Sequence, residues 1–351
     1  MSKKPYIRPL DLKHGVIDMN HGAGGRASKQ LIDELFAKYF HNPYLGQGDD
    51  GARLPSLGEG EQLVMSTDAH VVQPLFFAGG DIGTLAVNGT VNDLAMMGAK
   101  PLYLTCSFII EAGFALADLQ KIIQSMATSA NIANVVIVAG DTKVVERGKA
   151  DGVFISTTGV GAVTAKHQPS GRNAEVGDVV ILSGSIADHG MAVLSQRESL
   201  AFDSAIESDC ASLAQVVGEL CDALPSGAIK VLRDPTRGGL ATTLNEIAEQ
   251  SQVGMRLQES AIVIHPQVYG ACELLGLDPL YIANEGKFIA IVSPAYQELA
   301  LATLRANPLT QQASVIGEVV ADPNHFIQMQ TQIGGLRMVD WLSGEPLPRI
   351  C

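Results

Sequence analysis

The chain has 351 residues, and 24 Lys plus Arg against 37 Asp plus Glu leave a formal net charge of −13, which excludes a basic nucleic-acid footprint. Hydrophobic residues make up 46% and charged residues 17%, a globular composition whose length corresponds to two domains or one large one. Pro5, Arg8, Asp11 and Lys13 stand where an export signal would need an apolar run, and Cys106, Cys210, Cys221, Cys272 and Cys351 form no CxxC pair, so a reducing cytoplasm is the expected compartment.

Residues 26–40 carry Leu31, Ile32, Leu35, Phe36, Tyr39 and Phe40 at three- and four-residue spacing, which predicts an amphipathic helix behind a Gly-rich loop. Strands are expected over 62–66 and 102–110, and a helix over 116–129 with Leu119, Ile122, Ile123 and Met126 on one side. Buried strands follow at 135–139 and 153–159. The longest uncharged stretch, 122–140, contains Gln124, Ser125, Thr128, Ser129, Asn131 and Asn134, too many polar groups for a bilayer span. Pro169, Gly171 and Gly177 among the polar residues 166–178 mark a domain boundary.

Beyond it the α/β alternation resumes with a strand at 179–182, helices at 191–197, 212–223 and 240–250, strands near Met255, Ile262 and Phe288, and a last strand at 315–320. After Met338 the pattern fades. Gly344, Pro346 and Pro348 deny the end regular helix and predict an extended, movable arm tipped by Cys351. The expected units are an N-terminal segment with the first helix (1–40), a first domain (41–165), a second domain (166–337) and the arm (338–351).

Acidic residues gather at Gly48-Asp49-Asp50-Gly51, Thr67-Asp68, Asn92-Asp93 and Gly140-Asp141-Thr142. Any one of these reads equally as a turn. Together, at ends of predicted strands or helices, they suit a nucleotide–metal site, because hard carboxylate oxygens favour Mg²⁺ and glycines let backbone N–H groups approach phosphates. There is no GxxxxGK[ST] phosphate loop. His21-Gly22-Ala23-Gly24-Gly25-Arg26 precedes the first helix, where a helix dipole favours an anion, although a flexible linker has the same composition. Asp234-Pro235-Thr236-Arg237-Gly238-Gly239 leads into a helix and offers Asp234 as a metal ligand. Asn284-Glu285-Gly286-Lys287 puts a carboxylate before a strand at a sheet edge, a general base or a plain turn residue. His189, at a helix start, receives no role. Cys351 is the last residue, which rules out a prenylation signal.

The stretch containing Thr67-Asp68-Ala69-His70, Asn88, Asn92-Asp93 and Met97-Gly98-Ala99-Lys100-Pro101, with Gly140-Asp141-Thr142 and Asp234-Pro235-Thr236-Arg237-Gly238-Gly239, resembles the PurM-like ATP-binding superfamily. With His21-Gly22-Ala23-Gly24-Gly25-Arg26, Asn284-Glu285-Gly286-Lys287 and the ending Pro348-Arg349-Ile350-Cys351, the chain looks like the HypE family, the carbamoyl dehydratases of [NiFe]-hydrogenase maturation, over nearly its whole length.

The resemblance implies two α/β (α+β) domains, a homodimer whose first domains join their sheets into a barrel, and ATP near the domain cleft. It implies Mg²⁺ ligands at Asp50, Asp68, Asp93 and Asp234, and contacts to ATP or metal from Gly22, Gly24, Gly25, Asn88, Gly140, Asp141 and Thr142. Lys143 would stabilise charge on a phosphorylated oxygen, Glu285 would take an amide proton, and Cys351 would carry S-carbamoyl and then S-cyanate. The implied partners are the carbamoyltransferase HypF and a HypC–HypD iron complex. Two readings compete: a superfamily phosphotransferase acting on a free small molecule, and a non-catalytic carrier or scaffold that uses Cys351 only to hold a group or iron.

Overall fold

The computed structural model describes residues 9–22, 26–44, 57–164, 166–198, 206–342 and 349–350. A 3-10 turn (Met19–Gly22) precedes a helical run made of α1 (Arg26–Leu31), a π turn (Ile32–Phe36) and α2 (Ala37–Tyr39). Its apolar residues Leu31, Leu35, Phe36 and Phe40 are buried, as their spacing predicts.

The first domain then runs β1 (Glu61–His70), β2 (Phe76–Phe77), β3 (Gly80–Asp81), α3 (Ile82–Met96), β4 (Lys100–Glu111), α4 (Leu116–Ile132), β5 (Val136–Val145) and β6 (Val153–Thr164). The main strands form one sheet in the order β1-β6-β4-β5, with only the β4–β5 pair parallel. Helices α3 and α4 supply Leu85, Val91, Leu119, Ile122 and Met126 to the core on one face. The opposite face leaves Leu63, Met65 and Ile109 exposed. Helix α3 is capped by Asp81, whose carboxylate accepts the Thr84 N–H at 2.8 Å and the Ser125 hydroxyl at 2.6 Å.

The second domain comprises β7 (Val179–Leu182), α5 (Asp188–Arg197), α6 (Ala214–Ala223), β8 (Ile229–Arg233), α7 (Gly239–Ser251), β9 (Gly254–Gln258), α8 (Pro266–Leu275), β10 (Ile289–Val292), α9 (Gln297–Ala306), β11 (Ser314–Val320), β12 (Ile327–Gln330) and β13 (Leu336–Met338). Its strands lie in the order β13-β12-β9-β11-β7-β10-β8. One face packs on α7 through Leu240, Leu244 and Ile247, and the other on α6 and α9. Ala95 and Met96 at the end of α3 join that second cluster and bind the two domains into one body.

The predicted α/β class therefore holds, with several local corrections. Strand β1 extends past residue 66, which puts Asp68 inside it. Strand β5 extends to Val145, so Gly140, Asp141, Thr142 and Lys143 stand within a strand and not at its end. Ile262 follows a 3-10 turn and belongs to no strand, and β12 and β13 lie beyond the strand expected to be last. Strand β10 sits between β7 and β8, so the Glu285 turn leads into the sheet interior and not to its edge. Helix α3 escapes periodicity because it is buried almost all round and shows no apolar stripe.

Two buried asparagines lock the seam where both domains meet. Asn92 on α3 donates to the carbonyls of Ala211 (3.0 Å) and Glu285 (3.2 Å) and accepts the Leu213 N–H at 2.8 Å. Asn284 donates to the carbonyls of Pro235 (2.8 Å) and Ile282 (3.1 Å) and accepts the Ala187 N–H at 2.7 Å. Loops that would otherwise bury unpaired backbone groups are thereby fixed in place. No helix among the described residues is long and apolar enough to cross a membrane.

Candidate active site

At this seam lies a cleft of about 430 Å³ lined by Asp68 of β1, Asp93 of α3, Asp234 and Arg237 after β8, Glu285 before β10, and Arg349 and Ile350. Four separate stretches of chain thus bring four carboxylates to one cavity. Ser66, Asp68 and His70 share one face of β1 by strand alternation, and the Ser66 hydroxyl donates to Asp93 Oδ2 at 2.6 Å. His70 Nε2 lies 3.7 Å from Asp68 Oδ2 and is buried, which pushes the imidazole pKa down.

The loops carrying Asp234 and Glu285 pass so close to other backbone that two positions admit only glycine. Gly239 has φ +61°, and a Cβ there would lie 2.6 Å from the Ile282 carbonyl oxygen. A Cβ on Gly286 would fall 1.8 Å from the Asp209 carbonyl oxygen. Glu285 is held by its own backbone, its N–H donating to Asp209 Oδ1 at 3.1 Å and its carbonyl accepting from Asn92. Its side chain is 5% exposed, and Oε1 has no hydrogen-bond partner.

Burial raises the pKa of Glu285 well above the carboxylate range, and Asp234, Asp209, Asp68 and Asp93 add to the shift by repulsion. Asp234 keeps part of its surface open to the cleft, yet the surrounding protein and then Asp93 push it up to about 7. Asp93 is raised by burial and restrained by the Ser66 hydroxyl. The cleft therefore holds more negative charge than the chain compensates.

The remaining predicted residues lie elsewhere. Gly140, Asp141, Thr142 and Lys143 line a second cavity of about 230 Å³ with His21, Phe36, Phe40 and Cys106. Asp68, Thr157, Cys106 and Gly140 form one cross-strand row, so the two cavities stand three strand spacings apart, about 14 Å, at opposite edges of the sheet. Lys143 Nζ pairs with Asp141 Oδ2 at 2.9 Å, both groups more than half exposed, and its hydrogen bond lowers the Asp141 pKa. Asn88 is buried on α3, donating to Cys210 Sγ at 3.6 Å, with Oδ1 unpartnered. Gly22 ends the 3-10 turn that also carries His21. Asp50, Gly24, Gly25 and Cys351 lie outside the described residues.

Arg237, Ser66 and the docking of Ile350 escaped the sequence reading, although alternation along 66–70 already marks Ser66, Asp68 and His70 as one face. Ile350 is 5% exposed and belongs to the first-domain core cluster, so the arm's last described residues are seated in the cleft. The four described cysteines make poor nucleophiles: burial pushes Cys106 up to about 12, Cys221 and Cys272 to about 11, and Cys210 well above its usual value. Cys210 stands in an irregular segment, outside any helix or strand.

The raised carboxylates carry a stability signature. A folded pKa above the unfolded one means that the folded state holds the extra proton, so stability is full below the unfolded value of 3.8 and is lost as pH rises through about 7. Asp234→Asn should gain on the wild type by roughly 1–3 kcal/mol between pH 5 and pH 8 in urea unfolding without nucleotide or divalent cations. A stability difference independent of pH would contradict this charge balance.

Residues 48–163 match the family model of the AIR synthase related protein N-terminal domain, and residues 175–330 that of its C-terminal domain. The carbamoyl dehydratase HypE of Cupriavidus necator is 59% identical over 349 residues, covering 99% of each chain. A crystal structure of the hydrogenase maturation protein HypE in complex with ATP superposes with a TM-score of 0.90 at 49% identity, covering 95% of this chain and 99% of that one. HypE in a HypE–HypF complex gives a TM-score of 0.78 at 47% identity, covering 89% of this chain and 99% of that one. On its two matched domains and its near-complete coverage by these relatives, the chain belongs to the HypE family of AIR synthase related proteins.

Proposed function

We propose that this chain removes water from an S-carbamoyl group carried on its own Cys351, at the expense of ATP, and leaves an S-cyanate that supplies cyanide to hydrogenase iron. The observation that carries the reading is the seating of Ile350, the residue before the terminal thiol, in the cleft that gathers Asp68, Asp93, Asp234 and Glu285. A relative at 49% identity is described in complex with ATP, which supports the choice of nucleotide.

A carboxamide does not lose water readily because its oxygen is a poor leaving group. Transfer of the γ-phosphoryl group forms an O–P bond to that oxygen and breaks the bond to ADP. The two N–H hydrogens then leave as protons, the C–O bond breaks with departure of phosphate, and a C≡N bond remains on sulfur. Glu285 is the base for this deprotonation, and Lys143 steadies charge on the phosphorylated oxygen.

Asp68, Asp93 and Asp234 line the cleft with hard carboxylate oxygens, of which one or two would hold Mg²⁺ together with substrate phosphate, and Asp50 is the further ligand proposed. Among the described residues no three His, Cys, Asp or Glu side chains come close enough to cage an ion. A site of one or two carboxylates with water and substrate phosphate is the kind that holds Mg²⁺, which would supply neutralisation of phosphate charge there. Burial is the main cause of the raised Glu285 pKa and the neighbouring carboxylates add to it, so positive charge beside Asp93 and Asp234 would lower it toward the ionised form a base requires.

Pairing of two first domains through the face that exposes Leu63, Met65 and Ile109 would bury that apolar surface and close the sheets into a barrel. Edge strand β5 of one protomer then lies beside β1 of the other, and the partner subunit's Lys143 faces the carboxylate cleft together with the partner's Gly140, Asp141 and Thr142. The separation of the two cavities within one chain is accounted for in this way. HypF loads the thiol, a pairing supported by the complex formed by a relative, and a HypC–HypD iron complex receives the cyanide.

Intact-mass analysis of the C-terminal peptide after carbamoyl loading and addition of Mg-ATP should show loss of one water in the wild type. Glu285→Gln should load normally and dehydrate at least ~100-fold more slowly; dehydration at the wild-type rate would remove Glu285 from the reaction. Co-expressed Lys143→Ala and Glu285→Gln chains, each inactive alone, should recover roughly a quarter of wild-type activity, because each mixed dimer keeps one intact site. No recovery in verified mixed dimers would place both residues in one protomer.

A further inference from the structure

Helix α5 carries His189, Val193 and Arg197 at four-residue intervals, a single stripe along one face. His189 and Arg197 bond to the end of the chain, and Val193 stands between them on the stripe. The Ile350 carbonyl can only accept, so His189 Nε2 donates to it at 2.8 Å, and His189 Nδ1 in turn accepts the Ser208 hydroxyl at 2.8 Å. The imidazole is fully buried with the Phe77 ring edge-on at 5.5 Å. Val193 belongs to the same core cluster as Ile350. Arg197 Nη2 donates to the Arg349 carbonyl at 2.7 Å while its Nε donates to the Gln73 carbonyl at 2.8 Å. The Gln73 N–H adds a second bond to the Arg349 carbonyl at 3.1 Å.

Two successive carbonyls and one aliphatic side chain are thus recognised together, and none of these contacts reads residue 351. The Arg349 guanidinium also pairs with Asp151, but both side chains are substantially exposed and such a pair contributes little. We infer that His189, Arg197 and Gln73 form a backbone-reading clamp that sets the register of the arm, with His189 as the positioning residue that fixes where the group on Cys351 stands. The inference rests on the reading of Cys351 as the carrier. Because the clamp reads only backbone and Ile350, it grips a loaded and an unloaded arm alike. A few hydrogen bonds, of which the Arg197 guanidinium donates one, and a single buried side chain still leave the arm able to release the thiol to a partner.

The bond after Arg349 is a trypsin site that docking protects, since its carbonyl is doubly bonded and Ile350 is buried. Limited trypsin treatment of the full chain, read by intact mass as loss of Ile350 and Cys351, measures the undocked fraction without any chemistry at the thiol. In His189→Leu, which leaves the Ile350 carbonyl unpaired, cleavage at Arg349 relative to all other sites should rise roughly tenfold or more. His189→Gln, whose amide can donate to the same carbonyl, should stay within about threefold of the wild type. The dehydration rate of the carbamoylated chain should fall in the first variant and recover in the second.

Equal relative cleavage in wild type and His189→Leu overturns the clamp, as does a rise shared by every cleavage site. Faster cleavage at Arg349 with unchanged dehydration overturns the positioning role. Failure of the wild type to dehydrate sinks the carrier reading, while the cleavage ratio still decides the clamp.

Discussion

Carboxylates buried together repel one another and lose their water, and the fold of this chain gathers four of them in one cleft. Most of the local construction exists to hold that unfavourable arrangement. Asn92 ties α3 of the first domain to loops of the second, Asn284 ties those loops to one another, Gly239 and Gly286 let backbone pass backbone without a side chain between, and Ser66 steadies Asp93. The result is a Glu285 carboxyl whose pKa burial raises well above the usual range, and Asp234 raised to about 7. A cation and a polyphosphate complete such a cleft in electrostatic terms, which is why it suits Mg-ATP better than an anionic substrate alone.

The proposed reaction needs three components that the sequence separates widely. The carboxylates come from the domain seam, the lysine from the far edge of the first sheet, and the acceptor from the end of the chain. Within one protomer Ile350, the residue before the acceptor, already docks in the cleft with the carboxylates. In the proposed dimer, barrel closure between two copies would supply the second. A terminal thiol on an arm also reconciles two opposed needs, a fixed register during chemistry and freedom to reach a loading enzyme and an iron acceptor. A clamp on the backbone of residues 349 and 350 meets the first need without hindering the second.

Much of this was legible in the sequence where physics is local. Apolar spacing in 26–40 and 116–129 marks helices whose predicted faces are the buried ones. Acidic motifs at Asp68, Asp93, Asp234 and Glu285 mark residues that converge although 217 positions separate the first from the last. Periodicity fails where burial is complete: α3 has no polar side to contrast with an apolar one, and β5 reads as ending at Ala139 because the glycine and aspartate that follow are poor strand formers. Tertiary fit overrides that preference. Glu285 reads as a turn residue, and its burial depends on Asp209 and Asn92, which no local pattern ties to it. The stripe His189, Val193, Arg197 was present in the sequence as a four-residue repeat, but only the docked arm gives it a partner.

In the proposed reaction ATP drives dehydration by phosphorylating the carboxamide oxygen of the group on Cys351. That step is tested most directly by loading the thiol with carbamoyl labelled at oxygen with ¹⁸O, adding Mg-ATP for a single turnover, and measuring the isotope in the released inorganic phosphate. The account predicts one labelled oxygen in each phosphate. Unlabelled phosphate, with the isotope in water or still on the thiol, would contradict it.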